Sequence, residues 1–119
     1  MPTMPSANNA VVLEDEEMLR GLLVEWLSRQ DDVTVIDEFG LISTFNTSIS
    51  TTVKDANLII TDLVLPDGDG LTAALKAMDV LPNKIGLIVI SGRPTPDLFA
   101  RLSENVNGGW AFLLKNSNG

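Results

Sequence analysis

The chain has 119 residues, 16 acidic against 8 basic side chains for a net charge of -8, 45% hydrophobic residues, and neither cysteine nor histidine. That length holds one domain with a two- or three-layer core. The composition excludes disulfides, thiolate and imidazole zinc sites and the usual hydrolytic triads, and the acidic surface argues against nucleic acid and anionic membranes as direct partners.

Residues 1–9, "MPTMPSANN", lack the basic start and apolar core of a signal peptide and read as a flexible tail, and no apolar run reaches membrane-spanning length. A cytoplasmic location is the default expectation. Ala10 to Leu13 is the first apolar run of strand length. In the following "EEMLRGLLVEWLSRQ", Leu19, Leu22, Leu23, Trp26 and Leu27 fall at i, i+3, i+4, i+7 and i+8, which predicts a helix with one apolar face. A second strand is expected over Val33 to Ile36. In "LISTFNTSISTTV" a helix is predicted from Leu41, Phe45, Ile49 and Val53 at every fourth position, against the poor helix propensity of its Ser and Thr residues.

The third strand, Leu58 to Thr61, runs into Asp62 and a Pro- and Gly-rich loop, "LVLPDGDG". A third helix carries Leu71, Ala74, Leu75 and Met78 and stops before Pro82. After a fourth strand, Ile85 to Ile90, Thr95 is placed as the N-cap of a fourth helix with Pro96 at its first position, and Leu98, Leu102 and Val106 turn inward. Asn107, Gly108 and Gly109 end it, and Trp110 to Leu114 is the fifth strand. None of the strands alternates polar with apolar, so a parallel sheet buried on both faces is predicted, an α/β fold of strands and helices in turn. In such sheets ligands bind beyond the carboxyl ends of the strands.

Those ends carry Glu14, Asp15, Asp62, Ser91 and Lys115. Each has an ordinary structural role open to it: Glu14 and Asp15 as helix caps, Asp62 in an Asx turn, Ser91 as a turn former, Lys115 as a solvated charge. Together, three carboxylates on one edge repel one another unless a cation neutralises them. With no His or Cys, that cation is a hard one held by oxygen, and Mg²⁺, which shares its coordination with phosphate oxygens, fits best. Ser91 and Lys115 would then offer a hydrogen bond and a positive charge to a phosphoryl group on Asp62.

Competing motifs fail on spacing. Counted from Asp67, a calcium loop needs Gly where Thr72 stands and Glu where Met78 stands. No phosphate-cradling "GxxxxGK" or "GxGxxG" is present. A small aspartyl phosphatase needs a second acid two residues past the nucleophile, where this chain has Val64.

At this point "VVLEDEEMLR", "LIITDLVLPDGDGL", "LIVISG" and "AFLLKNS", in this order from Ala10 to beyond Lys115, resemble the receiver domain of two-component response regulators. The resemblance implies a three-layer flavodoxin-like (βα)5 fold with sheet order 2-1-3-4-5 over residues 10–119. Asp62 would be the phosphoacceptor, supplied by a sensor histidine kinase or a phosphotransfer protein. Glu14, Asp15, Asp62 and the backbone carbonyl of Val64 would hold Mg²⁺, with Lys115 and Ser91 contacting the phosphoryl oxygens. Phe112 matches the family's switch aromatic, and a core role is equally open to it. Val64 and Arg93 would tune the lifetime of the phosphate and make self-dephosphorylation slow. The implied role is a signalling switch over a downstream output such as transcription, not a turnover enzyme; the alternative is a phosphorylation-independent pseudo-receiver that acts as an interaction module.

Two features depart from the pattern. Asn116 stands where many receivers have a proline in a cis peptide, and "KNS" leans toward the NarL/LuxR type. The four residues after Lys115 leave no room for a fifth helix, so truncation before that helix, exposed apolar surface and a tendency to form a homodimer are expected.

Overall fold

The computed structural model describes residues 8–93, 96–106 and 109–115. Strands β1 (Asn8–Leu13), β2 (Val33–Phe39), β3 (Leu58–Asp62), β6 (Gly86–Ser91) and β7 (Trp110–Leu114) form one parallel sheet in the order β2-β1-β3-β6-β7. Helices α1 (Glu17–Ser28), α2 (Ile42–Thr47), α3 (Gly70–Val80) and α4 (Pro96–Asn105) lie between them. In order of the five main strands this is 2-1-3-4-5, the arrangement expected of a flavodoxin-like fold. The chain reverses direction across the sheet between β1 and β3, which leaves a crevice at their carboxyl ends.

One face of the sheet packs Val11, Leu13, Ile59, Leu87 and Val89 against Phe45 of α2, Leu71, Ala74 and Ala77 of α3, and Leu98 and Leu102 of α4. Phe39 and Phe45 meet edge to face at 5.7 Å, the geometry that the ring quadrupoles favour. The other face buries Ala10, Val12, Ile60 and Ile90 under α1, whose Leu27 is buried with Leu23 and Val24 beside it.

Several expectations change in detail. Asn8 and Asn9 belong to β1, and Asn9 N donates to Asn57 Oδ1 at 2.6 Å, so the predicted tail reaches two residues too far; residues 1–7 lie outside the described residues. β2 continues through Asp37 and Glu38 to Phe39, because an edge strand tolerates exposed charge where an inner strand does not. As the two edges of the sheet, β2 is only partly buried and β7 largely exposed instead of covered on both faces. The predicted stripe of α1 is also shifted: Leu22 and Trp26 are exposed, and Val24 takes an inward place.

The second predicted helix breaks up into α2, a run of turns and a short 3-10 segment at Val53–Asp55. Its hydroxyls explain why: Thr44, Thr47 and Thr51 each bond back to the carbonyl three residues earlier, which offers the chain a turn in place of a continued helix. Phe45 and Val53 still reach the core from their predicted positions. Pro96, Leu98, Leu102 and Val106 are placed as read, whereas Thr95, Asn107, Gly108 and Asn116 lie outside the described residues.

Candidate functional site

The register of the sheet brings the sequence-predicted residues to one edge. Leu13 pairs with Thr61, Asp62 with Ile90, and Ser91 with Leu114, so Glu14, Asp62, Ser91 and Lys115 end neighbouring strands at nearly the same level. Lys115 N donates to Ser91 O at 2.8 Å and extends the β6–β7 pairing by one residue. The lysine is thereby fixed at the crevice.

Glu14 is fully buried and Asp62 nearly so, while Asp15 is exposed at the rim. One oxygen from each of the three carboxylates lies within 4.8 Å of the others. Lys115 Nζ donates to Asp62 Oδ2 at 2.8 Å and forms an ion pair with Glu14 Oε1 at 3.2 Å. Glu14 Oε2 accepts from Glu16 N at 2.9 Å, so part of the helix-capping role open to Glu14 is real. Glu14 Oε1 is buried with the Lys115 ammonium at 3.2 Å and no well-formed hydrogen bond, so its lone pairs are only partly satisfied. An under-satisfied buried carboxylate oxygen beside two further carboxylates has the donor chemistry that a hard divalent cation takes.

Burial pushes the Glu14 carboxyl above its usual range; the Asp62 charge adds to this, and the Glu16 amide and Lys115 pull against it. At Lys115 burial works against the charge, but the hydrogen bond to Asp62 and the charges of Glu14 and Asp62 prevail and raise its pKa. One cation is thus shared between two strand-end carboxylates.

Ser91 is buried, and its Oγ accepts from Arg93 N at 3.0 Å. Arg93 meets the site through this backbone amide, and its side chain is exposed. Val64 has an exposed side chain and sends its backbone N toward Asp62 Oδ1 at 3.4 Å. Phe112 is half-buried and packs on the larger core; it also meets Phe99 of α4 edge to face at 5.5 Å. Both roles open to Phe112, core and contact with α4, therefore have a physical basis.

Other supports of the site escaped the sequence reading. Strands β4 (Val64–Leu65) and β5 (Gly68–Asp69) form a small antiparallel hairpin after Asp62, turning at Pro66 and Asp67 and continued by Gly68 with φ +147°, a conformation that side chains disfavour. Asp69 caps α3 by accepting from Thr72 N, and Arg101 of α4 reaches both residues at 3.2 and 2.9 Å. Asp67 accepts from Ile42 N and Ser43 N and so caps α2 from a distant loop. Gly70 packs so tightly on Thr61 and Asp62 that a Cβ there would overlap Asp62 O and Thr61 Oγ1. Only this last feature left a trace in the sequence, as a second glycine where one suffices for the turn.

No protein-family profile and no curated protein matches the chain. Solved structures do. The RcsB response regulator of Salmonella typhimurium, described for its conformational dynamism in DNA interaction, aligns over 92% of this chain and 54% of its own at 24% identity with a TM-score of 0.75. The isolated REC domain of RcsB from Salmonella enterica serovar Typhimurium, with the phosphomimetic BeF3⁻, aligns over 92% of this chain and 78% of its own at 25% identity, also at 0.75. A CheY-like response regulator receiver domain protein from Methanospirillum hungatei aligns over 95% and 85% at 18% identity and 0.73. The chain has the fold of a response-regulator receiver domain. It spans about half the length of the first of these regulators. In the receiver fold the crevice of Glu14, Asp15, Asp62, Ser91 and Lys115 lies where doubly wound sheets place their ligands.

Proposed function

We propose that the chain is a phosphoacceptor receiver domain that takes a phosphoryl group on Asp62 and passes the change on to an output. The observation that carries this reading is the meeting of Glu14, Asp15 and Asp62 oxygens within 4.8 Å, with Lys115 Nζ at 2.8 Å from Asp62. Bound Mg²⁺ would be held by the three carboxylates and a backbone carbonyl of the Val64 loop, and it would supply charge neutralisation for the incoming phosphoryl oxygens.

The chain's own residues do the rest. An Asp62 carboxylate oxygen attacks the phosphorus of a phosphohistidine on a sensor kinase or phosphotransfer protein; a P–O bond forms as the P–N bond breaks, and the electron pair leaves with the imidazole. Lys115, already bonded to Asp62, stays beside the new acyl phosphate and pairs with its oxygens. Ser91 Oγ, which among the described residues accepts from the Arg93 amide alone, turns its hydroxyl to the phosphoryl group. On β7, the strand paired with that of Ser91, Phe112 meets Phe99 of α4, and a repacking there would give the switch a physical route.

Transcription as the output is supported by the RcsB response regulators described in DNA interaction and in complex with DNA. Self-association is supported by the dimers described for RcsB and by exposed Leu22, Trp26 and Leu113 on the α1 side. Among the described residues, no helix is long and apolar enough to cross a membrane. The domain serves as a signalling module, with no substrate turned over other than its own phosphate.

Intact-mass spectrometry after incubation with Mg²⁺ and acetyl phosphate tests the reading. A single phosphate adduct is expected in the wild type, lost when Mg²⁺ is chelated and absent in Asp62→Asn. A folded wild type that forms no adduct with any phosphodonor would leave the pseudo-receiver, an interaction module on the same fold, as the better account.

A further inference from the structure

Glu14 and Asp15 sit on the turn between β1 and α1, outside regular structure, and a single peptide unit joins them. The carbonyl of that unit, Glu14 O, accepts from Arg20 Nη1 at 2.8 Å. Arg20 Nε donates in turn to Glu38 Oε1 at 3.2 Å. The guanidinium therefore ties the joining peptide to the end of β2, where Phe39 O also accepts from Glu14 N at 2.9 Å. Among the described residues no hydrogen bond holds the Asp15 carboxylate itself. Its direction rests on the backbone that Arg20 fixes.

Gly40 completes this arrangement. A Cβ at Gly40 would come within 2.9 Å of Arg20 Nη1 and 3.8 Å of Asp15 Cα, so the loop after β2 closes over the guanidinium only because it carries no side chain. Arginine suits the place for a geometric reason. Its planar fork presents Nε and Nη1 to two acceptors at once, whereas a lysine ammonium is a single point on a flexible stem.

We propose that Arg20 is a positioning residue of the cation site: by holding the Glu14–Asp15 peptide, it sets the direction in which both carboxylates enter the crevice. This rests on the Mg²⁺ reading of the pocket given above. Supporting contacts of this kind, one step removed from the metal ligands, cost roughly 10–100-fold in metal affinity when removed. The effect expected here lies at the lower end, because Glu14 keeps its bonds to Phe39 and Glu16.

The test is a Mg²⁺ titration followed by amide chemical shifts, with the cation-free melting temperature measured in parallel. Arg20→Ala should raise the Kd for Mg²⁺ about tenfold, and Arg20→Lys should behave like Arg20→Ala, not like the wild type. Gly40→Ala, which pushes the guanidinium aside without removing it, and Glu38→Gln, which weakens its anchor, should raise the Kd by less. These two variants carry the test should Arg20→Ala fail to fold. Unchanged Mg²⁺ affinity in the folded variants would overturn the proposal, as would a melting temperature that falls while the Kd stays put, the mark of a purely structural role. A wild type that binds no Mg²⁺ would remove the functional reading along with this one, and wild-type binding with unaffected variants would remove this one alone.

Discussion

On the side of the sheet covered by α2, α3 and α4, strand residues and helix residues interlock in one continuous core that includes Phe45, Leu71, Leu98 and Leu102. On the side of α1 the buried set shrinks to Ala10, Val12, Ile60, Ile90 and Leu27, and Leu113 of β7, in register with Ile90, is 43% exposed. The difference separates two tasks. The dense side fixes the backbone under Asp62 through Gly70 and the hairpin, and so holds the chemistry rigid. The open side contributes Glu14, whose Oε1 is the one buried side-chain oxygen among the described residues that has an ion pair with Lys115 but no well-formed hydrogen bond.

The sharpest way to test this contrast is to make the same truncation on both sides. Leu102 and Leu27 are both buried, and Leu→Ala in a core costs about 2–5 kcal/mol depending on how far the site collapses. Leu102→Ala should fall near the top of that range, because α3 and the sheet hold the cavity open around it. Leu27→Ala should fall near the bottom, since α1 packs on one side only and can settle. Urea unfolding of the two variants checks the order. Equal losses would mean that the α1 side is packed as tightly as the other.

How much of this was legible in the sequence follows from the same physics. Strand runs and strand-end residues were readable because a parallel inner strand needs unbroken apolar residues, and any charge at its end stands out. Glu14, Asp62, Ser91 and Lys115 meet as read, and Asp15 joins them at the rim. The stretch after β2 was not readable from periodicity, because the backbone bonds of Thr44, Thr47 and Thr51 compete with the helix locally. Nor were the contacts that tie distant loops together: Asp67 to the start of α2, Arg101 to the start of α3, Arg20 to the turn after β1. Spacing along the chain carries no information about which loops the fold brings side by side.

Asp67 gives a smaller, pH-dependent check on the dense side. The backbone amides of Ile42 and Ser43 hold its carboxyl below the ordinary value of 3.8. A group whose folded value is lowered contributes its stability in full above the unfolded value, and the contribution disappears as pH falls through the folded one. The stability gap between wild type and Asp67→Asn, which keeps one acceptor oxygen and loses the charge, should therefore be constant near neutrality and close as pH drops below 3.8. Amide exchange in α2 reads the same event locally. A gap that does not change with pH would mean that the carboxylate does not cap α2 in solution.

The smallest effect is expected at Leu22, which is 57% exposed on α1. If nothing packs on this side of α1, Leu22→Ala falls within about 0.5 kcal/mol of the wild type, as surface substitutions do. The value of the measurement lies in its dependence on protein concentration. Were a second copy to cover Leu22, Trp26 and Leu113, the wild type would gain stability with concentration through mass action and Leu22→Ala would lose that gain. A small, concentration-independent loss leaves the α1 side an open surface of the monomer, and confines any switch to the side where Phe112 meets α4.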